Sequence, residues 1–408
     1  MSNAKIIAAV EIGTSKVAAV VAEVTPKHSI SLLGRGEATS RGVKKGEITD
    51  FRLTCEATHA ALNMAEKSAG AAIDAVYLAL SGRHIEGFYH IGTTAINTPN
   101  ALVSEGDIAR VVENAKAKAL SEGRLYMHHI KNGFLLDGKM LENPINHHGQ
   151  KLEVAYWHLH GDTKRVSEAI SVVNRYGLPV DEIIVSSIAA AQVAAHDEEK
   201  KLGCLVLDIG AGTTNYVVYR KGLIARAGVI AIGGDHFTND LSNGLRVSIP
   251  QAESLKKTHA KAYWEEADKT QQRWLYGDPI SGNSAIGNRP VKLAAFGQIL
   301  QPRLEELFDI LRDEMGELYD PSQLKAGVIL TGGSSRLNGL LELAKRRLSL
   351  DAKLSSPIPW VTEASLKGPE YTTVLGLLYS ALTIPSRAPT QEAGKPSLMQ
   401  KISKLFNF

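Results

Sequence analysis

Apolar runs of two kinds alternate along the chain. Residues 6 to 24 read as two buried β-strands joined at "GTSK", because β-branched and small apolar residues run almost unbroken on both sides of that turn. A third strand is predicted at Ser29–Arg35. From Phe51 to Ala69 the apolar spacing becomes helical, and "VYLALSG" (76–82) returns to a buried strand. Residues 83 to 162 change character. They hold "SEGDIARVVENAKAKAL", an amphipathic helix capped by Ser104 and Asp107, between polar strand-like pieces. That stretch predicts a small inserted α+β subdomain. "TKRVSEAISVVNRYG" is a helix closed by Gly177 and Pro179, and "DEIIVSSIAAAQVAAH" is a strand running into a helix.

At Gly203 the pattern restarts. "LVLDIGAGTTNYVVYR" (205–220) repeats the phrase "AAVEIGTSKVAAVVAE" (8–23): an apolar run, an acid, a Gly-Thr turn and a second apolar run. "AGVIAIGGDHFTNDLS" follows, with a glycine pair opening a helix. Residues 250 to 300 are polar and irregular and include the loop-like "YGDPISGNSAIGNRP". A long helix is predicted over Leu304–Leu318. "AGVILTGGSSRLNGLLELAKRRL" reads as buried strand, glycine turn and helix, and "YTTVLGLLYSAL" as a last helix. "TIPSRAPTQEAGKP" is a linker by composition. The whole reads as an internal duplication of an α/β unit, with a different insertion in each half.

Composition narrows the class. At 408 residues more than one domain is expected, and 44% apolar with 22% charged residues is globular. A net charge of +3, evenly spread, argues against nucleic acid as a partner. Two distant cysteines, Cys55 and Cys204, fit a reducing compartment. "MSNAKIIAAVEIG" is broken too early by Glu11 for a signal peptide, and no run approaches the roughly 20 apolar residues of a membrane span. A cytosolic chain is the expectation.

The repeated turns suggest their chemistry. A strand–turn–strand hairpin with Gly at its tip lets backbone N–H groups approach an anion, and Thr and Ser hydroxyls add donors. One such hairpin is commonplace; two in equivalent positions of a repeated unit would clasp a phosphate chain from both sides. The hairpin residues are Gly13, Thr14, Ser15 and Lys16 in the first copy, and Gly210, Gly212, Thr213, Thr214 and Asn215 in the second. Glu11 and Asp208, at the strand ends, would face a phosphate-bound Mg2+ through water. The pairs Gly233–Gly234 and Gly332–Gly333, each before a helix, offer close approach and N–H donors, with Ser334 and Arg336 beside the second pair. Glu253 and Lys256 stand at helical spacing after Pro250, suited to ribose hydroxyls and base, or else a solvated helix face.

Five segments in order and spacing resemble the actin-like ATPases, which include actin, heat-shock chaperones, sugar kinases and bacterial filament proteins. They are the first phosphate hairpin (Glu11–Lys16), a connecting segment (Ile183–Ala194), the second hairpin (Asp208–Asn215), an adenosine segment (Gly327–Arg336) and a second connecting helix (Thr373–Leu382). A closer resemblance, over essentially the whole chain, is to the FtsA family of bacterial cell-division proteins. It is carried by "EIGTSKVAAVVAEV", "SRGVKKGEITD", "VYLALSGRHI", "VLDIGAGTTNYVVY", "QPRLEEL", "AGVILTGGSSRLNGL" and "TVLGLLYS". This resemblance implies duplicated actin-like (ribonuclease H-like) lobes around a central nucleotide cleft, with ATP and Mg2+ as ligands. The first lobe core would take 1–82 and 163–202, and the inserted α+β subdomain 83–162. The second lobe core would take 203–246 and 301–383, its smaller subdomain 247–300, and the linker 384–396.

The resemblance also implies partners: copies of the chain in an actin-like filament, anionic lipids, other division proteins, and the C-terminal peptide of FtsZ, the tubulin-like ring protein. That places the protein on the cytoplasmic face of the inner membrane at the division site. "QPRLEEL" corresponds to the FtsZ-binding region, so Arg303 would pair with a peptide carboxylate; an intrahelical pair with Glu305 or Glu306 is the alternative. Two departures stand out in the second hairpin: Ala211 where Gly is usual, and Asn215 where Asp is usual. Ala211 is harmless only if its φ stays negative. Asn215 removes an anion from the phosphate site, so at most slow ATP hydrolysis is expected, with no catalytic residue assigned.

Residues 397–408 end the chain as "SLMQKISKLFNF". Leu398, Met399, Ile402, Leu405 and Phe406 form one helical stripe flanked by Lys401 and Lys404. Half-realised burial of five such side chains gives roughly 4–8 kcal/mol before ordering costs, and each Lys near an anionic leaflet adds about 1 kcal/mol. An interfacial membrane helix is predicted; docking onto its own domain, or a frayed tail, is the alternative. Six histidines cluster between 128 and 160 and read as surface or subdomain packing rather than zinc ligands, since "HH" pairs on a strand point opposite ways and no cysteine is nearby. Two tryptophans in "KAYWEEADKTQQRWLYGD" read as packing, with an interaction surface as the alternative. A metabolite kinase of the same fold and a pilus-assembly-type ATP-binding scaffold are the rival functions.

Overall fold

A computed structural model describes residues 5–25, 29–275, 289–356 and 358–383. β1 (Lys5–Ile12), β2 (Lys16–Val24) and β3 (Ile30–Thr39) form an antiparallel meander. A two-strand ribbon, β4 (Val43–Lys44) with β5 (Glu47–Ile48), leads into α1 (Phe51–Ala69). Asp50 caps α1 by accepting from the Leu53 N–H. β6 (Ala75–Leu80) then pairs in parallel with β1.

The chain now leaves this sheet and builds β7 (Glu86–Ala95), α2 (Glu105–Lys116), β8 (Arg124–Leu136), β9 (Lys139–Leu141) and β10 (Lys151–Asp162). Their sheet runs β7-β10-β8-β9 and packs α2 over a small core of Val111, Phe134, Leu152 and Val154. The capping box of Ser104 and Asp107 starts α2 where the sequence places it. α3 (Thr163–Asn174) and β11 (Val180–Val185) return to the first sheet, which closes in the order β11-β6-β1-β2-β3.

α4 (Ser186–Ala194) and α5 (Asp197–Leu202) lead to the second copy. Its meander is β12 (Cys204–Ile209), β13 (Thr214–Arg220) and β14 (Leu223–Ile230). After it come α6 (Gly234–Leu245), α7 (Ile249–Thr258), the ribbon β15 (Gln272–Leu275) with β16 (Arg289–Lys292), and α8 (Leu293–Met315). β17 (Val328–Thr331), α9 (Leu340–Leu348), β18 (Ala352–Leu354) and α10 (Thr372–Thr383) complete it. This sheet runs β14-β13-β12-β17-β18, with β17 and β18 parallel to β12. The two sheets therefore share one topology: a three-strand meander, then two parallel strands beside its first strand. That common plan is the structural form of the repeated phrase.

Three boundaries differ from the sequence reading. β3 continues to Thr39, pairing with β2 over its whole length. α8 starts at Leu293, not Leu304, and passes through Pro302; Leu293, Phe296, Leu300, Leu304, Leu307 and Phe308 are all buried on one stripe, which outweighs the roughly 3 kcal/mol a helix-interior proline costs. The segment from 250 opens with a regular helix, α7, capped by Ser248.

The lobes join at α4 and α10. These helices cross so closely that a Cβ on Gly376 would lie 1.9 Å from the Ala189 carbonyl oxygen. A second junction lies at the β14 edge. Asn132 Nδ2 (3.3 Å) and the Tyr89 hydroxyl donate to the Ala225 carbonyl, and Trp157 Nε1 donates to that of Ala227 (2.9 Å). Arg226 lies over the Tyr89 and Trp157 rings. The clustered histidines divide between the subdomain interior and its surface, with His129, His147 and His148 exposed. His128 is half-buried and accepts from the Val185 N–H, and the buried His158 bonds both His129 and the Ala115 carbonyl. Trp264 is half-buried under Lys269. The loop at 276–288, the linker and the whole predicted C-terminal helix, with Leu398, Met399, Lys401, Ile402, Lys404, Leu405 and Phe406, lie outside the described residues.

Candidate functional site

A cavity of about 1100 Å3 opens between the two sheets, and both hairpins line it. The turns are built alike: the Gly13 N–H donates to the Lys16 carbonyl (3.0 Å) and the Gly210 N–H to that of Thr213 (2.9 Å). Their tips meet. A Cβ on Gly212 would fall 2.3 Å from Thr14 Oγ1 and 2.9 Å from the Lys45 backbone, so only glycine lets the second hairpin come so near the first. Ala211 stays out of the left-handed region, and its methyl costs nothing there.

Glu11 and Asp208 both stand in the cavity wall. Burial, reinforced by Asp208 and opposed by Lys16, pushes the Glu11 carboxyl up to about 8. Asp208 is raised as well, chiefly by burial, and Thr373 and Asn215 pull it back by donating to Oδ2 at 3.0 and 3.2 Å. Two desolvated acids at one site, each destabilised as an anion, fit a divalent cation, which would hold both ionised. Lys16 donates to Glu37 (2.8 Å) and sits 3.8 Å above the Tyr371 ring. Burial pushes the Glu37 carboxyl up, but the hydrogen bonds from Lys16 and from the Tyr371 hydroxyl (2.8 Å), with the charges of Lys16 and Arg35, outweigh it and hold the group below the usual carboxylate range.

Gly332 has φ 83°, and a Cβ there would strike Asp208 Oδ1 at 2.3 Å, so glycine is required twice over. Its N–H donates to the Pro369 carbonyl (3.1 Å) and is not offered to a ligand. The predicted helix after Gly332–Gly333 is a single 3-10 turn (Gly333–Arg336), and α9 begins only at Leu340. Gly333, Ser334 and Arg336 do line the cavity; Ser334 Oγ donates to the Gly210 carbonyl (2.8 Å) and Arg336 forks onto Glu370.

Three expected ligand residues prove to be supports. Thr214 is buried and donates to the Ile232 carbonyl (2.8 Å), its side chain turned from the cavity by strand alternation. Gly233 and Gly234 start α6 outside the wall. The Gly233 N–H donates to His236 and that of Gly234 to the Gly210 carbonyl (2.9 Å), with the Asp235 N–H on that of Ala211 (2.8 Å). The helix start thus braces the second hairpin from behind.

Glu253 and Lys256 are no solvated face. Both line the cavity, paired at 2.7 Å, and Lys256 also donates to the Gly234 carbonyl (3.0 Å) and Thr238 (2.8 Å). Arg303 lies elsewhere, on α8: Nε donates to Asp240 Oδ2 (2.8 Å) and a second nitrogen to Glu306. Sequence reasoning missed Ser81, Glu37, Asp235 and Thr373 in the cavity wall. Ser81 follows a buried strand, which was its one available signal.

Two topologically matched sheets, hinged by small-residue helices and facing a shared cavity through twin glycine hairpins, define the actin-like ATPase fold. Solved structures agree on the fold. The PilM-PilN type IV pilus biogenesis complex superposes with TM-score 0.62 at 19% identity over 91% of this chain and 97% of that one. MreB5 of Spiroplasma citri bound to ADP gives 0.52 at 14% identity, over 92% and 95%.

Sequence comparison is more specific. The model described as "Cell division protein FtsA" matches residues 205–376, and that of the "SHS2 domain inserted in FTSA" matches residues 82–159. The cell division protein FtsA of Pseudomonas aeruginosa is 31% identical over 391 residues, covering 94% of this chain and 90% of the relative. That of Neisseria meningitidis is 30% identical (95% and 93% covered), and that of Escherichia coli K12 is 28% identical (93% and 90%). The chain belongs to the FtsA family of cell division proteins.

Proposed function

We propose that this protein binds ATP with Mg2+ between its lobes, assembles with its own copies into an actin-like filament, and ties the FtsZ ring to the inner membrane. The observation that carries the nucleotide reading is the meeting of two glycine hairpins over one cavity with a desolvated acid behind each. Gly13 to Lys16 and Gly210 to Thr213 would hold the phosphates, Glu253 and Lys256 the ribose side, and Gly333, Ser334 and Arg336 the adenosine end. The metal would supply charge neutralisation for the phosphates, and Glu11 and Asp208 would hold it through its waters. Asn215, a neutral side chain, removes one anion from beside the phosphates, so any turnover would be slow.

Membership of a division family favours the ring-tethering role over a metabolite kinase or a pilus-type scaffold. In that role Arg303 would receive a carboxylate of the FtsZ C-terminal peptide, exchanging its Asp240 or Glu306 partner for it, and residues 397–408 would lie in an anionic leaflet. No helix among the described residues is long and apolar enough to cross a membrane, so membrane contact would be peripheral. Titration of purified protein with a fluorescent ATP analogue and Mg2+ tests the first part: binding that Gly212→Val abolishes supports it, and no binding refutes it. Co-sedimentation with phosphatidylglycerol vesicles, with and without FtsZ peptide, tests the rest.

A further inference from the structure

The cleft is held shut by more than the hinge. Ser81, the residue after β6 in the first lobe, reaches two side chains of the second hairpin. Its Oγ lies 2.8 Å from Asn215 Oδ1 and 3.2 Å from Thr213 Oγ1. Asn215 Nδ2 in turn donates to Asp208 Oδ2 (3.2 Å), where Thr373, from the second connecting helix, also donates (3.0 Å). The proton directions are forced. Asp208 accepts, so the amide nitrogen must face it and the amide oxygen must face Ser81. Ser81 then spends its only proton on Asn215, and Thr213 donates to the Ser81 oxygen.

A single ordered chain of hydrogen bonds thus runs from the first lobe through the second hairpin to α10. Asn215 serves both ends of the chain with a neutral side chain, donating to Asp208 and accepting from Ser81; an Asp there would bring a second carboxyl beside Asp208, and one of the two would have to hold a proton.

We infer that Ser81 and Asn215 form an interlobe latch: Ser81 is a positioning residue that keeps the second hairpin closed over the nucleotide and sets how long it stays. The inference rests on the proposed nucleotide site, and it reaches a property that site alone does not fix, the rate of release.

The full chain is loaded with a ribose-labelled fluorescent ATP analogue and Mg2+ and chased with excess ATP. Ser81→Ala is expected to release the analogue about 5- to 10-fold faster, the scale of one neutral hydrogen bond, while the unfolding temperature of the nucleotide-free protein stays put. Ser81→Thr, which keeps the hydroxyl, restores slow release. In an Asn215→Ala background the Ser81→Ala substitution adds little. Unchanged release in Ser81→Ala, or an undiminished effect in Asn215→Ala, overturns the latch.

Hydrogen exchange of amides 210–215 without nucleotide gives a second readout, expected to quicken in Ser81→Ala. A wild type that binds no analogue removes the proposed function, and the exchange result still decides on the latch: equal exchange in both proteins refutes it.

Discussion

Substituting Gly376 by Ala tests the geometry of the hinge. The added methyl carbon would sit 1.9 Å from the Ala189 carbonyl oxygen and 2.4 Å from its carbon. Ordinary contact needs about 3.5 Å, so α4 and α10 must part by about 1.5 Å. The seam they share is lined by Ile188, Val374, Leu375, Leu377 and Leu378, all buried. A gap of even 0.5–1 Å forfeits about a quarter to a half of each contact.

Overpacking typically costs about 1–3 kcal/mol, and the upper end applies because a helix carbonyl cannot rotate away. Alanine returns about 1 kcal/mol through helix propensity. The net expectation is a loss of roughly 2 kcal/mol, which lowers the melting temperature of a domain of this size by about 4–8 °C. Differential scanning fluorimetry on the nucleotide-free protein measures it. Ala189→Gly should not rescue the variant, since the clash is with backbone. A melting temperature at or above wild type would show that the helices pass farther apart than described, and the close hinge would be abandoned.

Other expectations follow from the site and the surface. Glu11, raised to about 8 in the folded protein against an ordinary 4.5, binds its proton more tightly folded than unfolded. Its contribution is complete below about pH 4.5 and is lost as pH rises through about 8. Nucleotide-free protein should therefore lose stability between about pH 4.5 and 8, by at most about 1.4 kcal/mol per pH unit from this group, and level off above that. Glu11→Gln should flatten that slope in urea titrations; parallel curves would count against a buried acid. Arg303→Ala should weaken FtsZ-peptide binding about 10-fold by fluorescence anisotropy and leave nucleotide affinity alone, charge-assisted bonds being worth about 1.5–3 kcal/mol. Removing residues 397–408 should abolish pelleting with anionic vesicles, and unchanged pelleting would end the membrane reading.

Much of this architecture is legible in one sequence because it is written twice. The repeat of acid, Gly-Thr turn and apolar strands points to two lobes, and the paired hairpins point to a cavity between them. What the sequence hides is whatever depends on a neighbour far along the chain. The α8 start is obscured by Pro302, whose local cost is outweighed by a buried stripe that begins nine residues earlier. Glu253 and Lys256 look solvated because helical spacing says nothing about α6 packing beside them. Thr214 reads as a ligand by composition, yet strand alternation turns it inward. Ser81 lies in "VYLALSGRHI" but nothing in that motif marks it as a contact, because its role exists only when Thr213 and Asn215 arrive from 132 and 134 residues away.

β14 ends its sheet, and its outer carbonyls at Ala225 and Ala227 are occupied by Tyr89, Asn132 and Trp157 from the inserted subdomain. Excising residues 86–162 would therefore do more than delete a module. It would bare an eight-residue ribbon with unsatisfied backbone acceptors, ready to zip onto any passing strand. Clumping of such a truncated protein would report this uncovered border, and it would say little about what the missing piece does in division.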